Sequence, residues 1–159
     1  MIAPPADIHI RGFDDADTDA VLALWRDAFP EYLSADKPHR EPRRSIANKV
    51  AMRDGLFFVA VREQTIAGTV MAGYDGHRGW VYSLAVGRAL RRRGVASALL
   101  RHAECALAER GCLKLNLQVL TQSRDALAFY TAHGYAADDV VSLGKRLPLA
   151  PGAAPSTSL

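Results

Sequence analysis

The chain has 159 residues, 49% of them hydrophobic and 23% charged, which fits one globular domain with its own core and excludes wholesale disorder. Its 20 Lys and Arg against 17 Asp and Glu leave a formal charge of +3 with neutral His, too little to mark a nucleic-acid binder. No apolar run reaches bilayer-spanning length and residues 1–7 lack a signal-peptide pattern, so a cytoplasmic protein without membrane association is expected.

In chain order, residues 1–6 read as a flexible N-terminus and Asp7 to Arg11 as a short strand. The acidic run Asp14 to Asp19 caps a helix that turns Val21, Leu22, Leu24, Trp25 and Ala28 to one face and ends at Pro30. Glu31 to His39 has no period and reads as a loop. A second helix opens at Pro42, a residue suited to a first turn, and carries Ile46, Val50, Ala47 and Ala51 inward before Gly55.

Leu56 to Val61 is short, apolar and rich in β-branched and aromatic residues, so it reads as a strand. Glu63-Gln64 is a tight turn, Thr65 to Tyr74 a second strand, and Asp75 to Gly79 a Gly-punctuated turn before a third strand, Trp80 to Val86. Short turns make these three an antiparallel meander. Gly94 to Arg110 holds the clearest helical spacing, with Val95, Leu99, Ala103 and Leu107 in line and Gly111 ready to cap. Leu113 to Leu120 alternates as a strand, Ser123 to His133 forms a helix closed by Gly134, and Tyr135 to Leu147 is strand-like at both ends. Residues 148–159 are mostly Pro, Ala, Gly and Ser and read as a disordered tail, leaving a single domain over 7–147. The order β-α-α-β-β-β-α-β-α-β implies a mixed α/β sheet with helices on both faces.

Cys105 and Cys112 lack metal-ligand spacing and the five His do not cluster with them, so no metal site is expected. The basic residues are more telling. Only Lys37, Lys49, Lys114 and Lys145 are lysine; the rest are arginine, whose planar fork suits phosphate. Arg91, Arg92 and Arg93 stand together between the third meander strand and Gly94, which opens the long helix. A helix N-terminus offers unpaired N–H groups and a partial positive charge. Gly94, Ala96 and Ser97 keep the first turn uncrowded, so this junction reads as a cradle for phosphate or pyrophosphate. The Rossmann and P-loop glycine patterns are both absent. Nucleic-acid binding by the Arg clusters is disfavoured, because no aromatic residues interleave with them.

Arg91-Arg92-Arg93-Gly94-Val95-Ala96 matches the R/Q-x-x-G-x-G/A element of the GCN5-related N-acetyltransferases, or GNAT family. Tyr82 to Val86 looks like the family's fourth strand, and Ser123 to Tyr135 resembles its N-x-x-A-x-x-x-Y-x-x-x-G-F/Y element. The segments 68–79 and 142–147 further resemble the bacterial YpeA-type branch. The resemblance covers about residues 7 to 147 and implies a mostly antiparallel central sheet, splayed between its fourth and fifth strands, where acetyl-coenzyme A binds. Main-chain groups of Leu84, Ala85 and Val86 would pair with the pantetheine arm. Backbone N–H groups of Arg91, Arg92, Arg93, Gly94, Val95, Ala96 and Ser97 would hold the pyrophosphate. Ser123 stands where Asn is usual; it would contact the arm or serve only as an N-cap. Tyr130 occupies the position of a hydroxyl near the coenzyme sulfur.

The implied reaction is acetyl transfer to an amine by direct attack in a ternary complex. A thiolate of pKa about 8.5 leaves, and Tyr130 is the candidate general acid. The strand from Gly79 to Val86 contains no carboxylate. A water-relayed path is therefore expected for the amine proton, with Asp75 as the weaker catalytic candidate. Glu31, Tyr32 and His77 fall where the family shapes its acceptor site. The acceptor is a small-molecule amine or a protein N-terminus, and a monomer or homodimer fits equally. A non-catalytic acyl-coenzyme A binding module is the rival reading.

Overall fold

A computed structural model of the chain describes residues 5–30 and 41–148. Glu31 and Tyr32, and the tail from 149 on, lie outside the described residues. The chain divides between Gln118 and Val119 into two compact units.

The first unit is built on a five-stranded sheet in sequential order. Strand β1 (His9–Gly12) pairs antiparallel with β2 (Phe57–Arg62), β2 with β3 (Thr65–Tyr74), and β3 with β4 (Gly79–Val86). The meander follows from its turns. Glu63 and Gln64 both take left-handed φ, 46° and 63°, the backbone that a two-residue hairpin demands. Strand β5 (Leu115–Asn116) joins β4 in parallel, with Gly79 opposite Leu115 and Trp80 opposite Asn116.

Helices cover both faces. On one, α1 (Thr18–Ala28) and α2 (Pro42–Ala51) pack a core of Val21, Trp25, Ile46, Phe57, Val59, Met71 and Ala85. A short 3-10 turn, Asp15–Asp17, leads into α1. Asp14 and Asp17 form a reciprocal capping box there, and Asp17 also accepts both prongs of Arg11 at 2.7 and 2.9 Å. The helix α2 departs from expectation. Its buried residues are Ile46 and Lys49, while Val50 is exposed. Lys49 escapes the cost of a buried charge by pairing with Asp54 at 2.6 Å and donating to the Ala72 carbonyl.

On the opposite face lies α3 (Val95–Ala108), whose stripe of Val95, Leu99, Ala103 and Leu107 is buried. Two glycines admit it. A Cβ on Gly79 would fall 2.6 Å from the Cys112 sulfur and 3.1 Å from Leu107. One on Gly68 would fall 2.7 Å from the Ala85 carbonyl and 3.0 Å from Leu99. Phe58 meets the His102 ring edge-on at 4.5 Å, and burial pushes the imidazole below its ordinary pKa.

In the second unit, α4 (Arg124–Ala132) ends in a Schellman motif. Gly134 is left-handed at φ 86°; its N–H bonds the Thr131 carbonyl at 3.1 Å, and the Tyr135 N–H bonds the Tyr130 carbonyl at 3.1 Å. The rings of Tyr130 and Tyr135 close the motif, 5.6 Å apart.

Two expectations are corrected. The fifth strand was expected over 113–120, but only Leu115–Asn116 is paired. Tyr135 to Leu147 forms no strand among the described residues. Its apolar residues Val140, Val141, Leu143 and Leu147 are exposed, and among the described residues they form no ladder pairing.

Candidate active site

The β4–β5 ladder stops after two residues, whereas β4 runs on from Val81 to Val86. Along that stretch β3 is the only strand paired with β4 among the described residues. Its outer edge therefore carries backbone N–H and C=O groups with no β5 partner. Such an edge is a template for an extended ligand.

Within β4 the pairing with β3 shifts register. Thr69 lies opposite Ala85, but Met71 lies opposite Tyr82, so β4 carries one extra residue. Ser83 sits in this bulge with φ 53°, a left-handed conformation that costs a non-glycine residue roughly 1–2 kcal/mol. The residues named from sequence as the pantetheine contact, Leu84, Ala85 and Val86, follow at once.

Past Val86, a 3-10 turn over Arg88–Leu90 leads to the arginine run. Arg91 donates from Nε to the Val86 carbonyl at 3.2 Å, tying the loop to the strand end. Arg92 and Gly94 are both left-handed, with φ 59° and 82°. Gly94 is the N-cap of α3, and no side chain caps that terminus. Its first-turn amides and the positive end of the 14-residue helix thus face the loop. The side chains of Arg91, Arg92 and Arg93 are exposed around it. Strand edge, loop and helix end are contiguous in the chain, and their donor set suits a polar arm ending in pyrophosphate.

Of the remaining named residues, Asp75 and His77 stand in the turn at the other end of β4, and Ser123 and Tyr130 belong to the second unit. Asp75 holds the turn before β4: its Oδ1 accepts the Arg78 N–H at 2.7 Å and the His77 N–H at 2.8 Å. These two bonds hold its carboxyl below the usual range. His77 is exposed in the same turn. Ser123 takes the N-cap position of α4, yet its side chain makes no capping hydrogen bond. Tyr130 lies on α4, with Phe129 5.2 Å and Tyr135 5.6 Å from its ring.

One cluster escaped the sequence reading. Tyr82 lies opposite Met71, and Lys49 Nζ stands 5.8 Å from its ring centre. Burial, then the charge of Asp54, pushes the Tyr82 phenol above its ordinary pKa, so it stays protonated near neutrality. The clue was the lysine three residues after Ile46, on the inward side of α2.

Residues 18–135 match the family model described as Acetyltransferase (GNAT) family. This chain belongs to that family. Solved structures carry the same fold. The PaiA N-acetyltransferase of Thermoplasma acidophilum, in complex with coenzyme A, superposes with a TM-score of 0.72 at 18% identity, covering 84% of this chain and 92% of that one. The aminoglycoside N-acetyltransferase AAC(6')-Iy, also with coenzyme A, gives 0.71 at 15% identity, over 92% and 99% of the two chains. Ard1 of Thermoplasma volcanium gives 0.70 at 22%, over 82% and 84%. The GNAT fold accounts for the expected mixed, mostly antiparallel sheet, in which β4 and β5 are the parallel pair among the described residues. No helix among the described residues is long and apolar enough to cross a membrane.

Proposed function

We propose that this GNAT chain transfers the acetyl group of acetyl-coenzyme A to an amine by direct attack in a ternary complex. The observation that carries the reading is the continuity of the β4 edge, beyond its two-residue pairing with β5, with the left-handed loop and the start of α3, which Gly94 leaves without a side-chain cap. The coenzyme A held by two fold relatives supports it. Backbone groups of Leu84, Ala85 and Val86 would pair with the pantetheine arm. Those from Arg91 to Ser97 would hold the pyrophosphate, with the exposed guanidiniums adding field. Acetyl-coenzyme A supplies an activated thioester carbonyl.

The chain's own groups then manage charge and protons. The amine must attack neutral; a lysine-like amine of pKa about 10.4 spends roughly 4–5 kcal/mol to be so at pH 7, an α-amine near 7.7–8.0 about 1. A backbone N–H near Val86 serves the developing oxyanion. As the C–N bond forms and the C–S bond breaks, the Tyr130 hydroxyl gives its proton to the leaving sulfur, and the amine proton departs through water. Asp75, kept ionised by its turn hydrogen bonds, is a weak base and acts at most as the final acceptor of that proton. His77 and the region of Glu31 and Tyr32 shape the acceptor side. Placement in the YpeA-type branch rests on segments 68–79 and 142–147.

The test is release of free thiol from acetyl-coenzyme A across a panel of small amines and peptides. Amine-dependent release is expected. Tight coenzyme binding with no turnover on any amine, unchanged by Tyr130→Phe, makes the chain a binding module instead.

A further inference from the structure

We infer that Trp25 and Thr69 are positioning residues for the coenzyme: together they hold the bulged carbonyl of Ser83 and so set the course of the backbone from Leu84 to Val86. This rests on the reading that the β4 edge receives the pantetheine arm.

Thr69 is fully buried between Val59 of β2 and Ala85 of β4. Valine would fill the same space with no polar group to satisfy. The hydroxyl is used at both ends. It accepts from the Trp25 indole Nε1 at 2.8 Å and donates to the Ser83 carbonyl at 3.0 Å. Trp25 is itself fully buried, so its N–H depends on this partner.

The carbonyl they hold belongs to the residue that breaks the ladder. Ser83 is left-handed and stands in the register shift between the Ala85 and Tyr82 pairings. A bulge leaves its extra residue outside regular pairing and bends the strand. A serine has no intrinsic preference for that conformation, unlike glycine. The surroundings must impose it, and a buried two-bond relay from α1 through β3 does so. Every residue after Ser83 inherits its direction from that one peptide. The relay thus carries a restraint from the α1 face to the open edge of β4 without touching a ligand.

The test separates the arm from the pyrophosphate. Dissociation constants of coenzyme A and of ADP are measured by calorimetry for the full chain, Thr69→Val, Thr69→Ser and Trp25→Phe. Thr69→Val is expected to weaken coenzyme A at least tenfold, leave ADP within twofold, and still melt cooperatively, at a lower temperature because the buried Trp25 N–H loses its acceptor. Thr69→Ser, which retains the hydroxyl, restores most of the loss, and Trp25→Phe falls between. Unchanged coenzyme A affinity in a folded Thr69→Val overturns the inference. If Thr69→Val does not fold, the same comparison is read from Trp25→Phe. If the unaltered chain binds no coenzyme A, the functional reading has failed. The relay is then judged by amide hydrogen exchange: faster exchange confined to 83–86 in the variant supports it, and unchanged exchange there overturns it.

Discussion

The indole of Trp25 donates to the hydroxyl of Thr69 across 44 residues of sequence, and both groups are fully buried. That bond joins α1 to the centre of the sheet one step from the bulge in β4. It also anchors a large side chain in the core. Trp25→Ala should therefore cost about 3–5 kcal/mol of stability, measured by urea unfolding, well above Trp25→Phe.

Gly68 lets β3 approach the end of β4. A methyl there meets the Ala85 carbonyl at 2.7 Å and Leu99 at 3.0 Å, and the carbonyl cannot rotate away. Gly68→Ala is expected to lower stability by roughly 1–3 kcal/mol. Gly73→Ala, whose nearest neighbour is the Tyr82 hydroxyl at 3.9 Å, serves as the contrast and should be far milder. Thermal melts of the two proteins make the comparison.

Asp17 makes stability pH-dependent. The Arg11 hydrogen bonds hold its carboxyl below the ordinary value. A depressed folded pKa gives stabilisation that is complete above the unfolded value, about 3.9, and fades as pH falls through the folded one. Asp17→Asn should lose about 1–3 kcal/mol at pH 7, and the gap from the unaltered protein should narrow below pH ~4. Urea titrations at pH 7 and pH 3 measure both.

Tyr130→Phe keeps the ring that packs against Tyr135 and removes only the hydroxyl. A general acid contributes roughly 10²–10⁴-fold, so with Tyr130 in the proposed role kcat should fall by about 10² or more while coenzyme affinity holds. A variant that retains full kcat would leave Tyr130 a packing residue of the α4 terminus.

What sequence patterning shows and hides divides along physical lines. The α3 stripe and its loop were legible because Val95, Leu99, Ala103 and Leu107 repeat at helical spacing and Gly94 must be left-handed. The junction proposed to hold the pyrophosphate, a left-handed loop opening into α3, was legible as a local structure for the same reason. The bulge at Ser83 was not, because nothing local forces a serine to φ 53°; the cause lies in Thr69 and Trp25, far along the chain. The fifth strand shrank to Leu115–Asn116 because alternation marks a residue's willingness to pair, not how far its neighbour stays alongside. Lys49 was missed because lysine is rarely buried unless paired, and although Asp54 is only five residues on, the Ala72 carbonyl that completes its site comes from β3, 23 residues away.

In the proposed complex the β4 edge and the start of α3 hold one ligand, arm and pyrophosphate together. Calorimetric titration with coenzyme A, ADP and pantetheine, in the unaltered chain and in Gly94→Val, tests it most directly. Coenzyme A is expected to bind more tightly than either fragment, and Gly94→Val, which puts a β-branched residue at φ 82°, to weaken coenzyme A and ADP while sparing pantetheine. Coenzyme A binding no tighter than pantetheine, and indifferent to Gly94→Val in a folded protein, would contradict it.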